Sequence, residues 1–159
     1  MSQWTHVLGM IRFEDMDRSV WPKPRIDRSQ QKADVIHDIF LRNIPSGSEG
    51  DLDVQTIITH SGPTVVFSGD LRDFGESDIP EICKWLNDSY SSVKGNRSLF
   101  GTVLPCPMTV RDVVINCDVE YHKNKLMIVY NSDSGNFIVD ELLSSNQSDA
   151  SPIEANDEK

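Results

Sequence analysis

The run from Asp53 to Phe74, DVQTIITHSGPTVVFSGDLRDF, leaves a chain like this few ways to fold. Val54–Thr59 and Thr64–Ser68 are rich in Val, Ile, Thr and Phe, which fit a pleated, half-buried surface. Ser61-Gly62-Pro63 between them is turn chemistry, because Gly supplies positive φ and Pro fixes its own. The pattern predicts a β-hairpin central to a sheet. A Gly/Ser loop, Ser46-Gly47-Ser48-Glu49-Gly50, precedes it, and a charged exit, Gly69-Asp70-Leu71-Arg72-Asp73, follows it.

The flanking segments supply the rest of an α+β pattern. Trp4–Phe13 alternates with apolar residues on both faces, which suits a central strand or one covered on both sides. Gly9 within it marks a bulge or a close approach. Glu14–Arg25 contains Trp21-Pro22-Lys23-Pro24 and reads as an extended loop. Asp27–Arg42 is a helix with an apolar stripe of Val35, Ile36, Ile39 and Phe40, closed before Pro45. Asp78-Ile79-Pro80-Glu81 opens a second helix with capping-box chemistry and Pro in its first turn. Ile79, Ile82, Cys83, Leu86, Tyr90 and Val93 form its stripe, and Gly95 is its stop.

Ser98–Leu104 reads as the next strand, closed by Pro105-Cys106-Pro107. Thr109–Tyr121 then alternates and pairs back through Leu126–Tyr130, with Phe137–Val139 after a second turn. The order β-α-β-β-α-β is the ferredoxin-like pattern: an antiparallel sheet with both helices on one face, here with a C-terminal β-hairpin extension. The alternative is an α+β sheet whose C-terminal strands form a layer of their own.

With 159 residues, the chain suits a single α+β domain over 1–143 and an acidic, disordered tail over 144–159. No apolar run approaches the roughly 18 residues of a membrane span, and the first residues lack the basic start of a signal peptide. A cytoplasmic protein is expected. The net charge of −10, from 25 acids against 15 bases, argues against a broad phosphate-contacting surface for long nucleic acid. Cys83, Cys106 and Cys117 have no zinc-motif spacing and read as buried free thiols.

Only the two polar loops suggest a site. Gly47 and Gly50 allow backbone N–H groups to converge, Ser46 and Ser48 add hydroxyls, and such concavities bind anions. Glu49 completes that loop, but no Lys-Ser/Thr follows and no helix begins there, so it is not a P-loop. Arg72 carries a donor fork suited to phosphate or carboxylate, with Asp70 and Asp73 positioned to pair with it instead. If the loops meet, Ser46, Gly47, Ser48, Glu49, Gly50, Asp70, Arg72 and Asp73 form one ligand-binding corner. A metal-dependent phosphoesterase using Glu49, Asp51, Asp53, Asp70 and Asp73 is the enzymatic alternative. His6, His37, His60 and His122 lack ligand spacing and no nucleophile elbow occurs, so no catalytic residue, metal or cofactor is assigned.

At Trp4-Thr5-His6, Ser46–Gly50 and Gly69–Asp73 the chain resembles a group of small bacteriophage-encoded proteins of uncharacterised function. The resemblance covers the body from Trp4 to Tyr130. It implies a protein acting in the bacterial host cytoplasm, without residue roles. The expected function is non-enzymatic binding: capture or blocking of a host protein, or capture of a small, nucleotide-like anionic ligand.

Overall fold

In the computed structural model of the protein, the described residues are 2–14, 25–60, 62–96, 108–121 and 125–142. Six strands and two helices follow in the order β1 (Trp4–Glu14), α1 (Arg25–Phe40), β2 (Asp53–Thr59), β3 (Gly62–Arg72), α2 (Ile79–Gly95), β4 (Thr109–Val119), β5 (Lys125–Asn131) and β6 (Asn136–Leu142). They form one sheet in the order β2-β3-β1-β4-β5-β6, with every neighbouring pair antiparallel. The fold is α+β.

The strand beside β1 is not the segment that sequence spacing suggested. Ser98–Leu104 lies outside the described residues, as does the tail from Ser144 onward. Thr109–Val119, expected in the C-terminal hairpin, pairs along β1 from Thr5↔Val119 to Glu14↔Thr109, with a register shift between Arg12 and Phe13. The terminal hairpin is therefore β5–β6, continuous with the same sheet through Cys117↔Leu126. The C-terminal strands form no separate layer. Alternation shows that a segment is a strand, but its neighbours depend on long-range pairing.

Of the two readings of its apolar faces, β1 takes the central one. Val7, Ile11 and Phe13 are buried against the helices, while Leu8 on the opposite face is 58% exposed. The strand is central, hydrogen-bonded to β3 and β4, and the described elements cover it on one side. Gly9 is the close approach that its position suggested: a Cβ there would lie 2.1 Å from Phe67 Cζ. Phe67 stands edge-on to Trp85 at 5.2 Å, and Trp85 stands edge-on to Phe40 at 5.7 Å. The bare backbone of Gly9 thus seats an aromatic stack that joins sheet to both helices.

The helices form where their stripes predict. Ala33, Ile36, Ile39 and Phe40 of α1 are buried, as are Ile79, Ile82, Cys83, Trp85, Leu86, Tyr90 and Val93 of α2. Pro80 sits in the first turn of α2, where a missing N–H is harmless. The capping differs from expectation. Asp78 makes no side-chain cap to α2 and accepts from the Gly75 N–H at 2.7 Å, closing a 3-10 turn over Glu76–Asp78. Asn87 on α2 grips the outer edge of β6: its Nδ2 donates to Phe137 O at 3.1 Å and its Oδ1 accepts from Phe137 N at 2.7 Å. This satisfies backbone groups that an edge strand otherwise leaves open to a foreign strand.

Cys83 and Cys117 are free and buried, as expected. Burial pushes the Cys83 thiol up to about 11 and the Cys117 thiol up to about 12, so both stay protonated and unreactive at neutral pH. Cys106 lies outside the described residues. Among the described residues, no helix is long and apolar enough to cross a membrane.

Candidate functional site

The two polar segments meet. Strand β3 runs four residues beyond Ser68, because Leu71 is buried and pairs with Thr5 on β1. Gly69–Arg72 is therefore strand rather than an exit loop, and the turn comes at Asp73 with φ 55°. The Ser46–Gly50 loop lies along this strand end. Ser48 N donates to Arg72 O at 2.8 Å, and Arg72 N donates to Glu49 O at 2.9 Å. Within the loop, Gly47 N donates to Gly50 O at 3.1 Å, and Ser46 bridges to Asp51.

Side chains finish the clasp. Ser48 Oγ donates to Asp73 Oδ2 at 2.6 Å. The Arg72 guanidinium pairs with the Glu49 carboxylate and donates to Ser2 Oγ at 2.9 Å. The glycines of the loop serve this contact. Gly50 has φ +83°, and a Cβ there would lie 2.0 Å from Asp70 O. A Cβ on Gly47 would meet Arg72 O at 2.4 Å. The motif needs small residues because backbone packs on backbone.

Of the expected site residues, Ser46, Gly47, Ser48, Glu49, Gly50, Arg72 and Asp73 thus come together. Asp70 touches the corner through its backbone, and its carboxylate pairs with His6 instead of Arg72. The donors foreseen for an anion, namely Gly47 N, Ser48 N, Ser48 Oγ and the guanidinium NH1 and NH2, are engaged within the protein. Nor do Asp70 and Asp73 hold Arg72; Glu49 does. Among the described residues, no group of three His, Cys, Asp or Glu side chains comes together to hold a metal. Replacing Arg72 with alanine is expected to lower stability by about 0.5–1.5 kcal/mol through the lost charge-assisted bonds, readable as a reduced urea midpoint.

The carboxylate of Asp70 points to the face of the sheet opposite the helices, where His6 Nδ1 lies 2.6 Å from its Oδ1. This hydrogen bond raises the His6 pKa above its ordinary 6.5. The folded value exceeds the unfolded one, so the pair's contribution is fully present below about pH 6.5 and fades as pH rises through the folded value. Both side chains are at least half exposed, so solvent screening keeps that contribution small. A titration of the His6 ring by NMR is expected to show a midpoint above 6.5, returned toward it by Asp70→Asn.

The rest of that face was not foreseen. Neighbouring strands align Val66, Met10 and Val114 in one row, and Val129 and Ile138 in pair at its β5–β6 end. Leu8 and Met127 stand in the next row, either side of Asn116. Val114 is 48% exposed and Ile138 43%, with Leu8 more exposed still. Together they make an apolar band across an uncovered sheet. Each residue looks unremarkable in sequence, where the two faces of one strand cannot be told apart; only the register brings them together.

A second concavity, a groove of about 620 Å³, lies between the end of α1 and the outer side of α2, with Ile39, Ile44 and Trp85 in its lining. Arg42 and Lys84 flank it with Glu81 and Asp88, and Lys84 pairs with Asp88 at 3.6 Å. No protein-family model, curated protein or solved structure matches this chain.

Proposed function

We propose that the protein is a non-enzymatic binding protein that captures or blocks a protein partner on the open face of its sheet. The observation that supports this reading is the apolar band through Leu8, Val114 and Ile138, which no described element covers. Exposed apolar surface of this extent, rimmed by polar residues, marks interaction sites. Capture of a small anion at the Ser46–Gly50 corner has less in its favour, because Gly47 N, Ser48 N, Ser48 Oγ and the Arg72 NH1 and NH2 groups already have partners, which leaves the buried Arg72 Nε as the donor without one. The phosphoesterase alternative has no observation on its side: Glu49 is engaged by Arg72 and Asp73 by Ser48.

Two finer readings belong to the same proposal. The first four strands, ordered β2-β3-β1-β4 with helices after β1 and β3, are taken as a ferredoxin-like unit, extended on one edge by β5–β6. A cytoplasmic location, with a host protein as the blocked factor, rests on the phage resemblance and on the reduced, buried Cys83 and Cys117.

The test places a photo-crosslinking amino acid at position 8, at position 114 or, as a control, at the exposed Ser92 on α2, in cells of a candidate host. A specific adduct is expected from positions 8 and 114 and not from 92, suppressed by excess wild-type protein but not by a Leu8→Asp/Val114→Asp variant. Adducts formed equally from position 92 would overturn the assignment of the face.

A further inference from the structure

The uncovered face has a charge pattern as well as an apolar band. On one long side of the band, Asp70 and Asp118 flank His6 across β3, β1 and β4. In the next row stand Asp53 opposite Ser68 and Asp140 opposite Met127, at the two outer strands. His6 pairs with Asp70, and Arg12 pairs with Asp112 on the other side of the band. Arg111 also reaches Asp112, at 3.8 Å, which leaves Asp53, Asp118 and Asp140 against Lys125 and one of these two arginines among the charges of these rows. The acidic margin of the band is thus Asp70 and Asp118 along one side, with Asp53 and Asp140 at the two ends of its own Leu8–Met127 row.

We propose that the segment docking on this face is a cationic amphipathic α-helix, lying across the strands with its apolar stripe on the band and its Lys or Arg residues toward the acidic margin. This rests on the open face being the docking surface. Dimensions and charge both favour it. From β3 to β6 the band crosses four strand spacings, about 19 Å at roughly 4.8 Å each. A helix rising 1.5 Å per residue covers that length in about 13 residues, an ordinary helix. Leu8 and Met127 widen the band to two rows, which matches an apolar stripe rather than a single line of anchors. A second copy of this chain fits poorly. Two copies would bring together two chains that each carry a net charge of −10. A basic partner gains both contact and attraction, and its association should be fast and salt-sensitive.

The experiment uses the full chain and a labelled 16-residue amphipathic peptide of leucine and lysine. Controls are the leucine–glutamate counterpart and a scrambled sequence of the same leucine–lysine composition. Binding is read by fluorescence anisotropy and by the methyl signals of Leu8, Val114 and Ile138 in NMR spectra. The amphipathic cationic peptide is expected to bind and shift those signals, and neither control to do so. Leu8→Ser/Val114→Thr, which keeps the charges, should weaken binding tenfold or more. Asp118→Asn/Asp140→Asn should weaken it several-fold, and so should raising salt from 50 to 300 mM.

Equal binding of the scrambled peptide, or unchanged affinity in Leu8→Ser/Val114→Thr, would show mere charge attraction and overturn the proposal. So would sedimentation showing a stable dimer that Val114→Lys dissociates, because the face would then be taken by a second copy. If crosslinks form specifically from positions 8 and 114 while the cationic peptide fails, the partner chemistry is wrong and the docking surface stands. If neither occurs, both readings fall.

Discussion

Leu86→Ala is expected to lower the free energy of unfolding by about 2–5 kcal/mol, measured by urea denaturation at constant m-value. Leu86 is fully buried at the middle of α2, within the cluster that joins both helices to the sheet. Truncation removes the apolar transfer term and leaves a cavity. The aromatic neighbourhood cannot easily collapse into it: Trp85 next in sequence is held between Phe40 and Phe67, with its Nε1 donating to Phe40 O at 3.2 Å. The upper part of the range is expected for that reason. A loss below about 0.5 kcal/mol would mean that the helix presents another face to the core.

Gly9→Ala is expected to be nearly as damaging, by about 1–3 kcal/mol, although it adds one methyl group. The new Cβ would lie 2.1, 2.3 and 2.7 Å from three atoms of the Phe67 ring. The ring has little room to move, because it is buried and stacked edge-on against Trp85. Either β1 shifts away from β3 or the ring leaves its place; both disturb the sheet beneath the helices. The mechanism has its own check. In a Phe67→Leu background the clash is relieved, so the double mutant should be more stable than the sum of the two single losses implies. A coupling of at least 0.5 kcal/mol is expected for residues in such contact. Strict additivity would show that Gly9 is needed for some reason other than the ring above it.

These two residues differ in how they could be read beforehand. The burial of Leu86 follows from three- and four-residue spacing alone, because a helix stripe needs no knowledge of its partner. That Gly9 answers a close approach is also legible, but Phe67 as its cause is not, since they are 58 positions apart and meet only through the register Gly9↔Phe67. The Ser46–Gly50 motif shows the same division. Its glycines announce a backbone constraint, and an anion cradle or a packed loop would use identical letters. The packed loop prevails because β3 extends to Arg72, which places strand N–H and C=O groups where the loop can use them.

The amino-acid sequence by itself determined the α+β class, the β2–β3 hairpin but not its place at the edge of the sheet rather than its centre, both helices with their buried stripes, and the burial of Cys83 and Cys117. All follow from local periodicity, turn chemistry and side-chain polarity. Only the tertiary structure decided that Thr109–Val119 lies beside β1, that Glu49 rather than an aspartate holds Arg72, and that no described element covers one side of the sheet. The physical reason is common to the three. Strand neighbours, salt-bridge partners and the covering of a face are contacts between distant parts of the chain. The alternating pattern of a strand such as β1, apolar on both sides, reads the same whether its second face is covered by protein or left open to bind one.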